Sequence, residues 1–261
     1  MGALHQASGI PMSDLLECHR QDAVLTIRLN RAAKKNAINT AMYLALAREL
    51  EAAESDPAVS VILLCGQPDI FSAGNDLSDF IDAADDCMDP VLVFMRALHR
   101  VGKPVVAAVR GAAVGIGATL LLHCDLVLAS EETRLVYPFV KLGFCPEFGS
   151  SRLLVQRIGH LRATQLMLLG DPVSAARAAE WGLVNEVLPD AQVEPAALEA
   201  AGRLAAMSVD AVRTSKALLK AANPELESLF EEEARAFTRL LKTDACQQTL
   251  RSMTSGDTRR K

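Results

Sequence analysis

Short, wholly apolar runs spaced along the first half of the chain restrict its fold more than any other feature. Val61 to Cys65, Val105 to Val109 and Leu126 to Ala129 are too short for helices and apolar throughout, so they read as buried strands. Asp22 to Asn30 alternates apolar and polar residues and reads as a further strand. Between them lie helical patterns. Thr40 to Glu54 carries Met42, Leu46 and Leu50 on one face, and Val91 to Val101 carries Val91, Phe94, Met95 and Leu98. Pro57 and Pro104 close these helices. After about Gly149 the pattern turns helical: 151–158, 163–169, 174–181, 195–207, 210–222 and 224–241 all carry helical periodicity, and only Val184 to Leu188 looks strand-like. This order predicts an α/β core followed by an all-α C-terminal part. No period of 20 to 50 residues recurs, so a solenoid of recognisable repeats is not supported.

The 261 residues are enough for one large domain with a substantial core. A formal charge of −5 argues against a nucleic-acid partner, which requires a clustered surplus of Lys and Arg. The longest uncharged apolar stretch, Gly111 to Leu122, is well short of the roughly 20 residues of a membrane span, so no membrane association is expected. Met1 to Pro11 lacks the apolar centre of a signal peptide, which favours a cytoplasmic protein. Met12 leaves open that the first eleven residues are an extension. Cys18, Cys65, Cys87, Cys124, Cys145 and Cys246 include no CxxC pair and read as buried, reduced thiols.

Three segments could carry chemistry. Phe71 to Leu77 (FSAGNDL) follows a strand and a turn at Gln67 to Asp69; Gly74 permits conformations that leave adjacent N–H groups pointing outward, although taken alone the segment reads as no more than a loop preceding a helix. Gly111 to Thr119 (GAAVGIGAT) sits between a strand and the run Leu120 to Leu122. Its glycines suit either a helix N-terminus facing an anion or close packing of helix on strand, and their spacing does not fit a dinucleotide fingerprint. Tyr137 to Ser151 contains Glu147 among Phe139, Leu142, Phe144 and Phe148, surroundings that raise a carboxyl pKa towards neutrality. Glu147 also sits just ahead of a helix, and on local grounds alone a capping role is the favoured reading.

Together, in this order and spacing, these segments resemble the crotonase, or enoyl-coenzyme A hydratase/isomerase, family. The likeness extends from Leu25 to Arg31 and Lys35 to Ile38 through Cys124-Asp125 to Ala178 to Leu188. It implies a crotonase-like spiral of ββα units over residues 12–200 and a C-terminal helical region over 201–261 that mediates assembly into a homotrimer or a dimer of trimers. It also implies an acyl-coenzyme A thioester substrate, with coenzyme A as part of the substrate and no separate cofactor or metal. By position, the backbone N–H groups of Asn75 and Ile116 would bind the thioester oxygen; most relatives carry Ala at the first. Lys35, Ala37, Ile38, Ser72, Ala73, Asp76 and Leu77 fall where relatives bind the adenosine end of coenzyme A.

Hydratases of this family use two glutamates, at positions matching Thr119 and Phe139, to activate water, and both are absent here. Pro146-Glu147 with Gly149 to Ser151 is instead similar to the peroxisomal type of Δ3,Δ2-enoyl-coenzyme A isomerase, whose base is the glutamate of this segment. The resemblance thus implies an isomerase of fatty-acid β-oxidation with Glu147 as acid/base. The alternatives are hydration or another crotonase reaction, or a catalytically silent acyl-coenzyme A binding protein.

His123, Cys124 and Asp125 are adjacent and cannot converge easily on one metal, so His123 reads as packing. Ser150 and Ser151 lack a nucleophile elbow and read as helix-start hydroxyls. Cys145 reads as pocket wall. Lys216 and Lys220, one helical turn apart, read as a solvated helix face, with contact to a coenzyme A phosphate as the alternative.

Overall fold

The computed structural model describes residues 15–83, 86–221 and 223–255. The reading of Met1 to Pro11 as an extension, the start of the core at residue 12 and the tail beyond residue 255 lie outside the described residues.

The chain opens with an antiparallel hairpin, β1 (Leu16–Gln21) and β2 (Val24–Leu29), followed by α1 (Thr40–Ser55). Three turns of a spiral follow. In each, the chain lays one strand in a large sheet, crosses to a small sheet for the next, and moves into helical structure. The pairs are β3 (Val61–Cys65) with β4 (Ile70–Ser72), β5 (Val105–Val109) with β6 (Ala112–Val114), and β7 (Leu126–Ser130) with β8 (Arg134–Val136). They are separated by α2 (Asp89–Arg100) and by the one-turn α3 (Ile116–Thr119), which runs on into a 3-10 turn at Leu120–His123. Beyond them come α4 (Ser150–Ile158), α5 (His160–Leu169), β9 (Val173–Ser174), α6 (Ala175–Glu180), β10 (Glu186–Leu188), α7 (Asp190–Ala205), α8 (Val209–Lys220), α9 (Leu226–Leu241) and α10 (Asp244–Thr254). The large sheet has order β1-β2-β3-β5-β7-β10, parallel except at the hairpin, and the small one β4-β6-β8-β9. The α/β spiral with a helical C-terminal region is therefore present.

The continuous apolar runs are explained by burial on both sides. Ile62, Leu64, Val105, Ala107 and Val109 face the main core with α1 and α2, while Val61, Leu63, Val106 and Ala108 face Val193, Ala197 and Ala201 of α7. Several features differ from the sequence reading. Asp22 and Ala23 form the hairpin turn and not the start of a strand, Asp22 with φ 51°. The helix expected from Pro195 starts at Asp190, with Pro195 inside it. The small sheet was not foreseen, because strands of two or three residues carry no readable periodicity.

None of the six cysteines is in a disulfide, and Cys65, Cys124 and Cys246 are buried; Cys18, expected inside, is exposed on the edge strand β1. No helix among the described residues is long and apolar enough to cross a membrane.

Candidate functional site

β4 ends at Ser72, and the chain then runs beside residues 35–38. The Ala73 N–H donates to Lys35 O, the Ile38 N–H to Gly74 O (2.7 Å) and the Asp76 N–H to Ile38 O (2.9 Å). In such a parallel bridge the residue between the bonded neighbours, here Asn75, has its own N–H turned to the opposite side. The Ser72 hydroxyl, fully buried, donates to Asn36 O and accepts from the Gly74 N–H. Arg31 bridges the Ala37 carbonyl and the Asp76 carboxylate at 3.0 and 2.6 Å. Lys35, Ala37, Ile38, Ser72, Ala73, Asp76 and Leu77 are thus brought together on one ledge. Ile38 and Ser72 are buried in it, while the Lys35 side chain is exposed at its rim.

The second loop turns at Gly115, whose φ of 54° and ψ of −120° are open to glycine and strained for other residues. Gly115 O accepts from the Ala118 and Thr119 N–H groups, which leaves the Ile116 N–H at the free start of α3. A Cβ on Gly117 would lie 2.8 Å from Ser72 Cβ, so only glycine lets α3 sit directly on the end of β4. The two loops are therefore neighbours. Among the described residues, neither the Asn75 nor the Ile116 N–H has a backbone acceptor.

Glu147 lies against the first of these loops, beside Asn75. Its side chain is buried, and neither carboxyl oxygen has a hydrogen-bond partner. Burial pushes its pKa up to about 8; the Asn75 side-chain amide opposes the rise and the Glu233 carboxylate adds to it. The Tyr43 hydroxyl donates to Asn75 Oδ1, which leaves the amide NH2 for the carboxyl. Glu147 does not cap α4. That place is taken by Glu233 of α9, which accepts from the Gly149 N–H (2.6 Å), the Ser151 N–H (3.3 Å) and the Ser151 hydroxyl (2.5 Å). Phe148 follows at φ 59°, a left-handed conformation that costs a bulky residue on the order of 1–3 kcal/mol.

No carboxylate stands at the other two expected positions. The Thr119 hydroxyl turns back to Ile116 O, and Phe139 is buried in the core. Of the acidic residues described, only Glu147 and Glu233 are buried. His123, Cys124 and Asp125 diverge, towards Phe148 O, Leu120 O and the Val105 N–H respectively, and no group of three or more metal-ligating side chains occurs among the described residues. Cys145 is half-buried, with burial raising its pKa to about 11, which suits a wall and not a nucleophile. Ser150 and Ser151 do open α4, their hydroxyls bonded to Glu147 O and Glu233.

Lys216 corrects the sequence reading. It is buried, 2.6 Å from both Asp125 Oδ2 and Lys103 O, and Lys220 Nζ reaches His99 O at 2.8 Å, so this face of α8 is turned inward. Tyr43 and Glu233 were missed altogether. Each acts on a residue distant in sequence, and no local pattern marks such a pairing.

Residues 19–258 match the family model described as enoyl-CoA hydratase/isomerase. The 2,3-dehydroadipyl-CoA hydratase of Escherichia coli (strain K12) is 35% identical over 236 residues, covering 89% of this chain and 92% of that protein. Enoyl-CoA delta isomerase 2 of Homo sapiens is 33% identical over 235 residues, 87% of this chain and 59% of the human protein. The solved structure of Pseudomonas aeruginosa OdaA shares the fold with a TM-score of 0.89 at 43% identity, over 95% of this chain and 100% of that one.

Proposed function

Because the chain belongs to the enoyl-CoA hydratase/isomerase family, we propose that it shifts the double bond of a 3-enoyl-CoA thioester to the 2-position, with Glu147 as the single acid/base. The Glu147 carboxylate takes a proton from C2, between the carbonyl and the double bond. The electron pair spreads over a dienolate whose oxygen accepts from the Asn75 and Ile116 N–H groups. The carboxyl then returns its proton to C4, giving the conjugated 2-enoyl thioester. Each donor in such a hole is worth about 2.7–4 kcal/mol of transition-state stabilisation. No water is consumed, and coenzyme A enters only as part of the substrate.

The observation that carries this reading is the Glu147 carboxyl itself, buried beside the Asn75 side chain with neither oxygen engaged in a hydrogen bond, and so free to take up a proton. The ledge of Lys35, Ala37, Ile38, Ser72, Ala73, Asp76 and Leu77 would hold the adenosine end of coenzyme A, with the exposed Lys35 ammonium meeting phosphate. Assembly into a homotrimer, or a dimer of trimers, and a cytoplasmic role in fatty-acid oxidation belong to the same reading; the outward Leu218 and Leu219 of α8 suit such an interface.

Hydration is the second reading, favoured by the match to the 2,3-dehydroadipyl-CoA hydratase over 89% of the chain. It lacks a second carboxylate, since Glu233 is committed to the start of α4. The purified protein is expected to convert 3-hexenoyl-CoA to conjugated product and to add water to crotonyl-CoA only slowly. Hydration of crotonyl-CoA as fast as the isomerisation would overturn the proposal.

A further inference from the structure

On the premise that Glu147 is the base, we propose that Glu233 and His123 are its positioning residues: they pin the Phe148–Gly149 peptide from opposite ends and so fix where the Glu147 carboxyl points.

A peptide group is planar, and its C=O and N–H point in opposite directions. Both ends of this one are held by buried side chains. Phe148 O lies 2.8 Å from His123 Nε2, which must donate because a carbonyl only accepts. The Gly149 N–H donates to Glu233 Oε2 at 2.6 Å. The Phe148 ring also stacks on the His123 imidazole, centroids 3.8 Å apart, with the Phe94 and Phe230 edges closing in at 5.9 and 5.3 Å. On the other side of Glu147's own carbonyl, the Ser150 N–H and hydroxyl close the turn.

The clamp resists a relaxation that would move the base. Phe148 and Gly149 are both left-handed, at φ 59° and 68°, and a bulky residue released from that region rotates the peptide beside Glu147. The two grips come from informative places. His123 ends the helical segment that begins at Ile116, so one rigid piece carries both an oxyanion donor and the hold on the base. Glu233 comes from α9, which ties the C-terminal helices to the reacting centre. Tyr43, Asn75, Cys145 and Glu233 are the polar and titratable groups around the carboxyl, and the Glu233 charge supports a raised Glu147 pKa.

Three variants test the clamp: Glu233→Gln keeps the shape and loses the charge, Glu233→Ala removes the acceptor, and His123→Phe keeps the stack without the donor. Each is checked for folding, then assayed for kcat and KM with 3-hexenoyl-CoA and for the Glu147 carboxyl titration by 13C NMR, the resonance being identified by its loss in Glu147→Gln. Glu233→Ala and His123→Phe are expected to lose about 10- to 100-fold in kcat with KM within about threefold, the cost of a misaimed group. Glu233→Gln should lose less, and the titration midpoint should fall below about 8 in both Glu233 variants. Should Glu233→Ala fail to fold, the other two decide. Folded variants with wild-type kcat and an unmoved midpoint overturn the clamp and leave the isomerase reading intact. If the wild type itself does not isomerise, that reading fails, and the titration alone decides the clamp.

Discussion

Glu147→Gln lowers kcat/KM for a 3-enoyl-CoA by about 10³-fold or more, since one carboxyl serves as both base and acid and general acid–base catalysis typically supplies 10²–10⁴ per group. The variant folds, because no hydrogen bond to either carboxyl oxygen is lost. In the wild type, kcat/KM rises with pH, reaches half its maximum near 8, where burial places the Glu147 pKa, and levels off above it. Stability moves the opposite way. The folded state keeps a proton on Glu147 that the unfolded chain releases near 4.5, so this group's contribution is full below about 4.5, declines as pH rises and is lost above about 8. At about 1.4 kcal/mol for each pH unit, the whole window corresponds to roughly 5 kcal/mol. Thermal melts from pH 5 to 9 therefore show a decline in the wild type that Glu147→Gln flattens. Equal activity in the two proteins would remove Glu147 from the chemistry.

The second large effect is structural. Lys216→Met is expected to destabilise the protein by about 2–3 kcal/mol, because the Lys103 carbonyl loses its buried donor and the Asp125 carboxylate loses its ion-pair partner, keeping the Val105 N–H. For a chain of this size that is a fall in Tm on the order of 5–10 °C. A Tm within 2 °C of the wild type would mean that α8 is held by other contacts.

Lys216 also marks where the sequence became hard to read. Helix α8 docks by its charged face: Arg213 meets Glu54, Lys216 meets Asp125 and Lys220 meets the end of α2, while Leu218 and Leu219 are 72% and 81% exposed. Periodicity assumes that leucines face in and lysines out, and here the assignment is inverted. The strands β3 and β5 were legible because burial on both sides leaves no polar position in them. Glu147 was legible because its apolar neighbours are adjacent in sequence, and the glycine loops because close approach and positive φ demand glycine. Tyr43 and Glu233 were not, since they act on Asn75, 32 residues away, and on the start of α4, more than 80 residues away.

Whether one shielded carboxyl carries the proton is tested most directly by following it. 3-Hexenoyl-CoA deuterated at C2 and turned over in ordinary water should give 2-enoyl product in which part of the deuterium has moved to C4, because the buried Glu147 exchanges slowly with solvent. Product whose C4 carries solvent hydrogen alone, from the first turnovers onward, would contradict transfer by Glu147.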